Sequence, residues 1–223
     1  MADEEHTAQE AQTAEEEPTT EEEPAAEAEP TAVAAQAAGM PPMLAYTLRA
    51  PIQANTGPAQ ITVGQGSSAQ VIKPSQPQDY SYWIVILDAS KPTAKLQEWV
   101  VQSNNAIPPG LDQYMSNPKY LFAVVTQTLG SRGVPQGAFY DYLTAHGAGR
   151  ELQKLEQISA YTVPSYGLVS SMAYVLTGQC GSGGNVAYEH GSFTEAVILE
   201  LSLMPLPSGP PYSICDSYTF ITR

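Results

Sequence analysis

The stretch LTGQCGSGGNVAYEHGS, Leu176 to Ser192, sets Cys180 in a glycine-rich loop with Glu189 and His190 shortly downstream. Cysteine with histidine is the composition of a nucleophile and its base. That chemistry needs a thiolate, so the thiol pKa must be lowered by a helix N-terminus or a neighbouring imidazolium. It also needs the base within hydrogen-bond reach. Gly181-Ser182-Gly183-Gly184 is a turn rich in residues that tolerate positive φ, and NVAYEHGSFTEAVILE leads into a strand, not a helix. The expectation is therefore a turn between strands, with a structural thiol at a strand end and His190 on the surface. A Cys180/His190 pair, with His146 as a second candidate base, is the alternative enzymatic reading.

Other chemistries find weaker support. GQCGSGG has glycines at 178, 181, 183 and 184. This is not the phosphate-binding G-x-G-x-x-G register, and no Lys-Ser/Thr follows it. A metal site needs converging ligands, but His6, His146 and His190 are isolated in sequence, and neighbouring residues of a strand, such as Glu189 and His190, point to opposite faces. No metal and no cofactor are expected. Glu195 and Glu200 flank a strand as solvent-face residues. Asp88, at a strand end before ASKP, is the best single catalytic-looking acid, though a turn-initiating role fits it better.

Aromatic residues carry more signal. The chain has 13 Tyr and 2 Trp. Tyrosine offers a large contact area at low entropy cost together with a polar tip, which suits interfaces and sugar stacking. Tyr80, Tyr82, Trp83 and Trp99 are the candidate binding residues, with capping of the core edge as the plainer role.

The positioning elements follow from composition and period. The net charge is −14, but residues 1–39 hold twelve acids and no Lys or Arg, so residues 40–223 carry eleven acids and nine bases. The tail, with its EEEP, EEEP and AEAEP units, lacks aromatics and cannot bury enough apolar surface to fold, so it is expected to be disordered. Its role is either solvation or an address that docks on a basic partner. A neutral body with scattered Lys91, Lys95 and Lys119 argues against nucleic acid. MADEEHTAQE shows no secretory signal pattern, and runs such as LFAVV are too short for a bilayer. No membrane contact is expected, and the expected location is the cytoplasm or a particle assembled there. Cys180 and Cys215 are expected as free thiols there; if paired, their loop of about 35 residues would stabilise by about 4 kcal/mol.

Residues 40–78 alternate in short bursts around NTGP and GQGSS, which predicts a β-rich N-terminal extension of two or three strands. Residues 79–223 form the main α/β domain. YWIVILD reads as a strand covered on both faces, and KLQEWVV pairs back on it. PPGLDQYMSNP holds a short helix between its prolines. KYLFAVVTQTL is the second strong strand. GVPQGAFYDYLTAHGAGRELQKLEQISAY is helical, with a kink or break at HGAG. SMAYVLTG and EAVILELSLMP are further strands, and PSGPPYSICDSYTFITR adds a last edge strand.

The stretches IVILDASKPTAKLQEWVV, KYLFAVVTQTL, RELQKLEQI and AYVLTGQCGSGG, in that order, resemble the interleukin-like EMT inducer domain, also called the GG domain. The resemblance spans roughly residues 80–200 and lies mostly in pattern. The family's glycine pair after the hairpin is replaced by VVQSNNA, and its entry to the first strand by DYSYW. The resemblance implies a compact α/β sandwich without catalysis, of a kind found in secreted signalling proteins, glycan-associated proteins and phage tail-fibre components. No site residue carries over.

The expected fold class is therefore mixed α/β: a compact sandwich of a mixed β-sheet with two or three helices, preceded by short strands and the acidic tail. The expected function is a non-enzymatic interaction or structural module in a larger assembly, through protein or glycan contacts. A cargo or particle component addressed by its acidic tail is the third reading.

Overall fold

The computed structural model describes residues 41–166, 171–184, 186–207 and 209–216. The tail 1–39 with His6, and Tyr218, lie outside the described residues.

Two antiparallel sheets face each other. The first is built from β1 (Leu44–Ala50), β2 (Gln60–Val63), β3 (Gln70–Ile72), β10 (Val197–Leu206) and β11 (Gly209–Asp216), in the order β11-β10-β1-β2-β3. The second holds β4 (Ser81–Asp88), β5 (Lys91–Val101), β6 (Tyr120–Gln127), β7 (Leu129–Gly130), β8 (Ser171–Gln179) and β9 (Ala187–Ser192). Its order is β5-β4-β6-β8, with β7 continuing the β6 side of β8 and β9 on the other side. Among the described residues three α-helices accompany it: α1 (Asp112–Met115), α2 (Gly137–Ala145) and α3 (Arg150–Tyr166).

The α/β sandwich expected from the sequence is what forms, with one correction. The sheet expected to be mixed is antiparallel in every pairing among the described residues. Five of the nine pairings join strands consecutive in the chain with no α-helix between them, β4 and β5 by a two-residue turn, and such hairpin connections reverse the chain. The helical crossover between β7 and β8 also returns antiparallel. A second point concerns residues 40–78, set apart above as an extension. They supply three of the five strands of the first sheet, where β1 lies between β10 and β2.

The reason is in the side-chain alternation. Tyr46, Leu48, Ile61 and Val63 of β1 and β2 point inward onto Trp83, Val85 and Leu87 of β4. Strand β4 is apolar from Tyr82 to Leu87 because it also buries Tyr82, Ile84 and Ile86 on its other face, against Phe139 and Leu143 of α2 and Leu152 and Leu155 of α3. Each such large side chain contributes about 1.5–3 kcal/mol on burial. Polar links also cross the inter-sheet layer, among them Tyr212 N of β11 donating to the Ala89 carbonyl after β4 at 2.7 Å. The Tyr46 hydroxyl donates to Thr177 Oγ1 at 3.1 Å, and Thr177 donates on to the Phe122 carbonyl at 2.7 Å. Ala59 N donates to the buried Gln127 Oε1 at 2.6 Å, tying the N-terminal strands to β6.

Helix α2 stops at HGAG because Gly147 adopts φ +100 and α3 starts afresh at Arg150. At the far end of β4 and β6, Tyr80 (φ 58) and Thr128 (φ 49) take left-handed backbone conformations that side chains disfavour. Thr128 Oγ1 donates to Asp79 Oδ1 at 2.8 Å and accepts from Tyr80 N at 3.4 Å.

Candidate functional site

Cys180 follows β8 directly and is 1 % exposed. Burial pushes its thiol up to about 12, so at neutral pH it is protonated and a poor nucleophile. His190 pairs with Val175, five residues back along β8 and about 16 Å away at strand spacing. Its ring is exposed, with Nδ1 3.9 Å from Glu151 Oε2. His146 donates from Nδ1 to the Tyr142 carbonyl at 2.8 Å and lies 4.4 Å from the Tyr142 ring. The structure thus brings Cys180 together with neither candidate base in a hydrogen bond.

What the cysteine loop does is hold a neighbouring segment. Cys180 N donates to the Tyr120 carbonyl at 3.0 Å, and Gly181 N to the Met115 carbonyl at 2.7 Å. Gln179 Nε2 donates to the Pro118 carbonyl at 2.6 Å, and Cys180 Sγ rests on Met115 Sδ at 3.8 Å. Gly181 needs its φ of +72, and a Cβ there would meet Pro118 at 3.0 Å. The loop that looked like chemistry is a clamp on α1 and the start of β6. Cys180 in the native protein is therefore expected to resist iodoacetamide at pH 8 for hours, and to label readily once urea opens the fold. Rapid native labelling, read by mass spectrometry, would contradict the buried, protonated thiol. Cys215 is also a free thiol, half-buried and 3.3 Å from the Ser202 carbonyl.

The clamped segment presents aromatic rings. Trp99 on β5 meets Tyr114 on α1 edge-on at 6.0 Å, and Tyr114 meets Tyr120 on β6 at 5.6 Å. All three are half-buried at the rim of the layer between the second sheet and the helices. Two polar residues share that face by strand alternation. Gln97 lies two residues before Trp99 and is exposed; Asp88 pairs across with Tyr120. The Asp88 carboxyl is held below its ordinary value by the Ser90 hydroxyl and then the Ser90 N–H, so it is an anion at neutral pH. Rings beside an amide and a carboxylate form a shallow ledge, suited to a surface or an extended chain more than to an enclosed small molecule.

The four aromatic candidates divide. Tyr82 and Trp83 are fully buried and correct the expectation that they bind a partner. A strand covered on both faces hides both of two adjacent side chains, whichever way each points. The Tyr82 hydroxyl donates to the Gly133 carbonyl, and Trp83 Nε1 to Glu98 Oε2 at 2.9 Å. Trp99 reaches the surface in the ledge. Tyr80 is 66 % exposed. Glu195 and Glu200 are exposed, on the solvent side.

The capping role of one residue escaped the sequence reading. Glu189 projects from β9 onto the N-terminus of α3. Its Oε1 accepts from Gly149 N at 3.0 Å and Glu151 N at 2.8 Å. Its Oε2 accepts from Leu152 N at 3.2 Å and from the buried Tyr174 hydroxyl at 2.8 Å. The signal was available in negative form. GAGR offers no Ser, Thr, Asp or Asn at the start of the helix, so its free N–H groups must find a cap elsewhere.

Among the described residues, no three His, Cys, Asp or Glu side chains gather to hold a metal ion, and no helix is long and apolar enough to cross a membrane. A scan against protein-family models found no match, and a search of curated proteins likewise found none.

Proposed function

We propose that this chain is a non-enzymatic interaction module that works inside a larger assembly and meets its partner, a protein or a glycan surface, through the Trp99–Tyr114–Tyr120 ledge. The observation that carries this reading is the ledge itself: three half-exposed rings, Trp99 edge-on to Tyr114 and Tyr114 tilted against Tyr120, held from below by the Cys180 loop and flanked by Asp88 and Gln97. Aromatic residues dominate interface energetics because they cover large area while losing few rotamers. The reactive-looking groups point the same way, since the Cys180 thiol is buried and the Glu189 carboxylate caps a helix. The resemblance to the GG domain fits a module of this kind.

The test is co-purification from the native source, run beside a glycan panel, with the parent protein and with Trp99→Ala and Tyr120→Ala. Each variant is expected to weaken capture by about ten-fold or more, as for a hot-spot residue, with little change in melting temperature. A protein band or a glycan signal identifies which class of partner the ledge takes. Undiminished capture by both variants would remove the ledge from the proposal. The concentration of acids in residues 1–39 favours a second reading, in which the tail is the address of a cargo component. In that case, deleting residues 1–39 abolishes capture while Trp99→Ala leaves it intact.

A further inference from the structure

Among the described residues, each sheet ends in two strands, β3 and β11 in the first and β5 and β9 in the second. An end strand presents unpaired N–H and C=O groups, and proteins blunt such edges with brevity, proline, lysine or bulges. Three of the four edges here are blunted. Strand β3 has only three residues. Strand β5 carries Pro92, Lys91 and Lys95, and its ladder to β4 shifts register twice. Strand β11 contains Pro210 and Pro211, and its ladder shifts at Pro205/Leu206.

Strand β9, AYEHGS, is blunted by neither brevity nor proline, lysine or bulge, and its one carboxylate, Glu189, is turned onto the start of α3. It pairs six residues with β8 without a shift and contains neither Pro nor Lys. A groove also flanks it on each face. One, of about 550 Å³, is lined by Tyr188, His190, Ile198 and Leu199. The other, of about 480 Å³, is lined by Leu155, Ile158, His190 and Phe193. Each exposes an isoleucine, Ile198 at 55 % and Ile158 at 37 %. The charged rim is mostly acidic: Glu195, Glu200 and Asp216 border the grooves. The one lysine among the lining residues, Lys154, sits 3.5 Å from Glu151.

We propose that β9 is a docking edge for an extended, basic-flanked strand of a protein partner, which adds to the second sheet by main-chain hydrogen bonds. Successive side chains of an added strand point to opposite faces, so apolar residues of the guest enter the two grooves alternately while its Lys or Arg residues meet the acidic rim. Backbone pairing then supplies affinity and the grooves supply selectivity. The charge pattern selects this occupant. A second copy would bring the same acids against this rim, and the chain's own residues 1–39 hold twelve acids and no base. This second surface extends the interaction-module reading and is independent of Trp99, which lies at the opposite edge of the sheet.

The experiment titrates the full chain against the labelled peptide KKVIVIKK and its acidic counterpart EEVIVIEE, by fluorescence anisotropy, with hydrogen exchange as the second readout. The basic peptide is expected to bind about ten-fold or more tightly than the acidic one, to weaken as salt rises, and to protect the amides of 187–192. Ile198→Lys and Ile158→Lys, both at exposed positions, are expected to weaken it about ten-fold each, while Trp99→Ala leaves it unchanged. Equal binding of the two peptides, or binding without protection of β9, overturns the proposal. So does binding that emerges only after residues 217–223 are removed, since the grooves would then belong to the chain's own C-terminal end. Failure here with an active ledge in the Trp99→Ala test leaves the module reading standing.

Discussion

Trp83→Ala is expected to cost about 4 kcal/mol of stability, and Trp99→Ala less than about 1.5 kcal/mol. The two tryptophans are 16 residues apart on adjacent strands but do different work. Trp83 is fully buried between the sheets, so truncation leaves a cavity that β1 and β2 cannot close. It also removes the N–H held by Glu98 at 2.9 Å. Glu98 additionally takes Lys95 Nζ at 2.8 Å and Ser75 N at 3.2 Å, so the connector between β3 and β4 loosens as well. Burial raises the Glu98 pKa, but the bonds from Lys95, Ser75 and Trp83 together outweigh it, and the carboxyl sits below its ordinary value. A depressed folded-state pKa stabilises at pH above the unfolded value and is lost as pH falls through the folded one. The deficit of Trp83→Ala should therefore narrow in acid. Trp99, by contrast, loses only half-buried contact with Tyr114. Urea unfolding of both variants decides the matter: equal losses would mean that Trp99 is core and that the ledge is not a free surface.

Glu189→Ala is expected to cost about 3 kcal/mol, and Glu189→Gln somewhat less. Three backbone N–H groups, Gly149 just before α3 and Glu151 and Leu152 in its first turn, and the buried Tyr174 hydroxyl all donate to this one carboxylate. Caps of this kind contribute about 1–2 kcal/mol, and an orphaned buried donor costs about 1–3 kcal/mol more. The negative charge at a helix N-terminus adds a favourable dipole term, which Gln forfeits while keeping an acceptor. The loss should be local before it is global. Hydrogen exchange in 150–158 is expected to accelerate well ahead of exchange in β4 and β6. Uniform acceleration throughout the chain would show that Glu189 does not cap this helix in solution.

Much of the architecture was legible because it is written in local pattern. YWIVILD announced a strand buried on both faces, HGAG announced a break between helices, and the prolines around GLDQYM bracketed α1. A strand buried on both faces places Tyr82 and Trp83 in the interior, which is incompatible with a binding role for either. Tyr46, placed in none of the candidate sets, proved to be a fully buried centre of the inter-sheet core. What escaped was non-local. Nothing in LAYTLRA says that it pairs with VILELSL, because pairing partners far apart in the chain share only a common demand for burial. The Glu189 cap is hidden for the same reason, its helix lying some forty residues away. GQCGSGG reads as a turn with a structural thiol, but nothing in it names the segment it holds: Gly181 lets the turn press against Pro118.

The placement of β1 has a consequence for how the protein is made. Leu44 finds its partner in Leu203, so a chain emerging from a ribosome exposes the apolar inner faces of β1 and β2 until β10 has been synthesised. At about 5–20 residues per second this wait lasts many seconds, and pairings of such sequence separation close slowly. During that interval the strands most prone to stick to one another are joined directly to a segment with twelve carboxylates, whose mutual repulsion keeps neighbouring nascent chains apart.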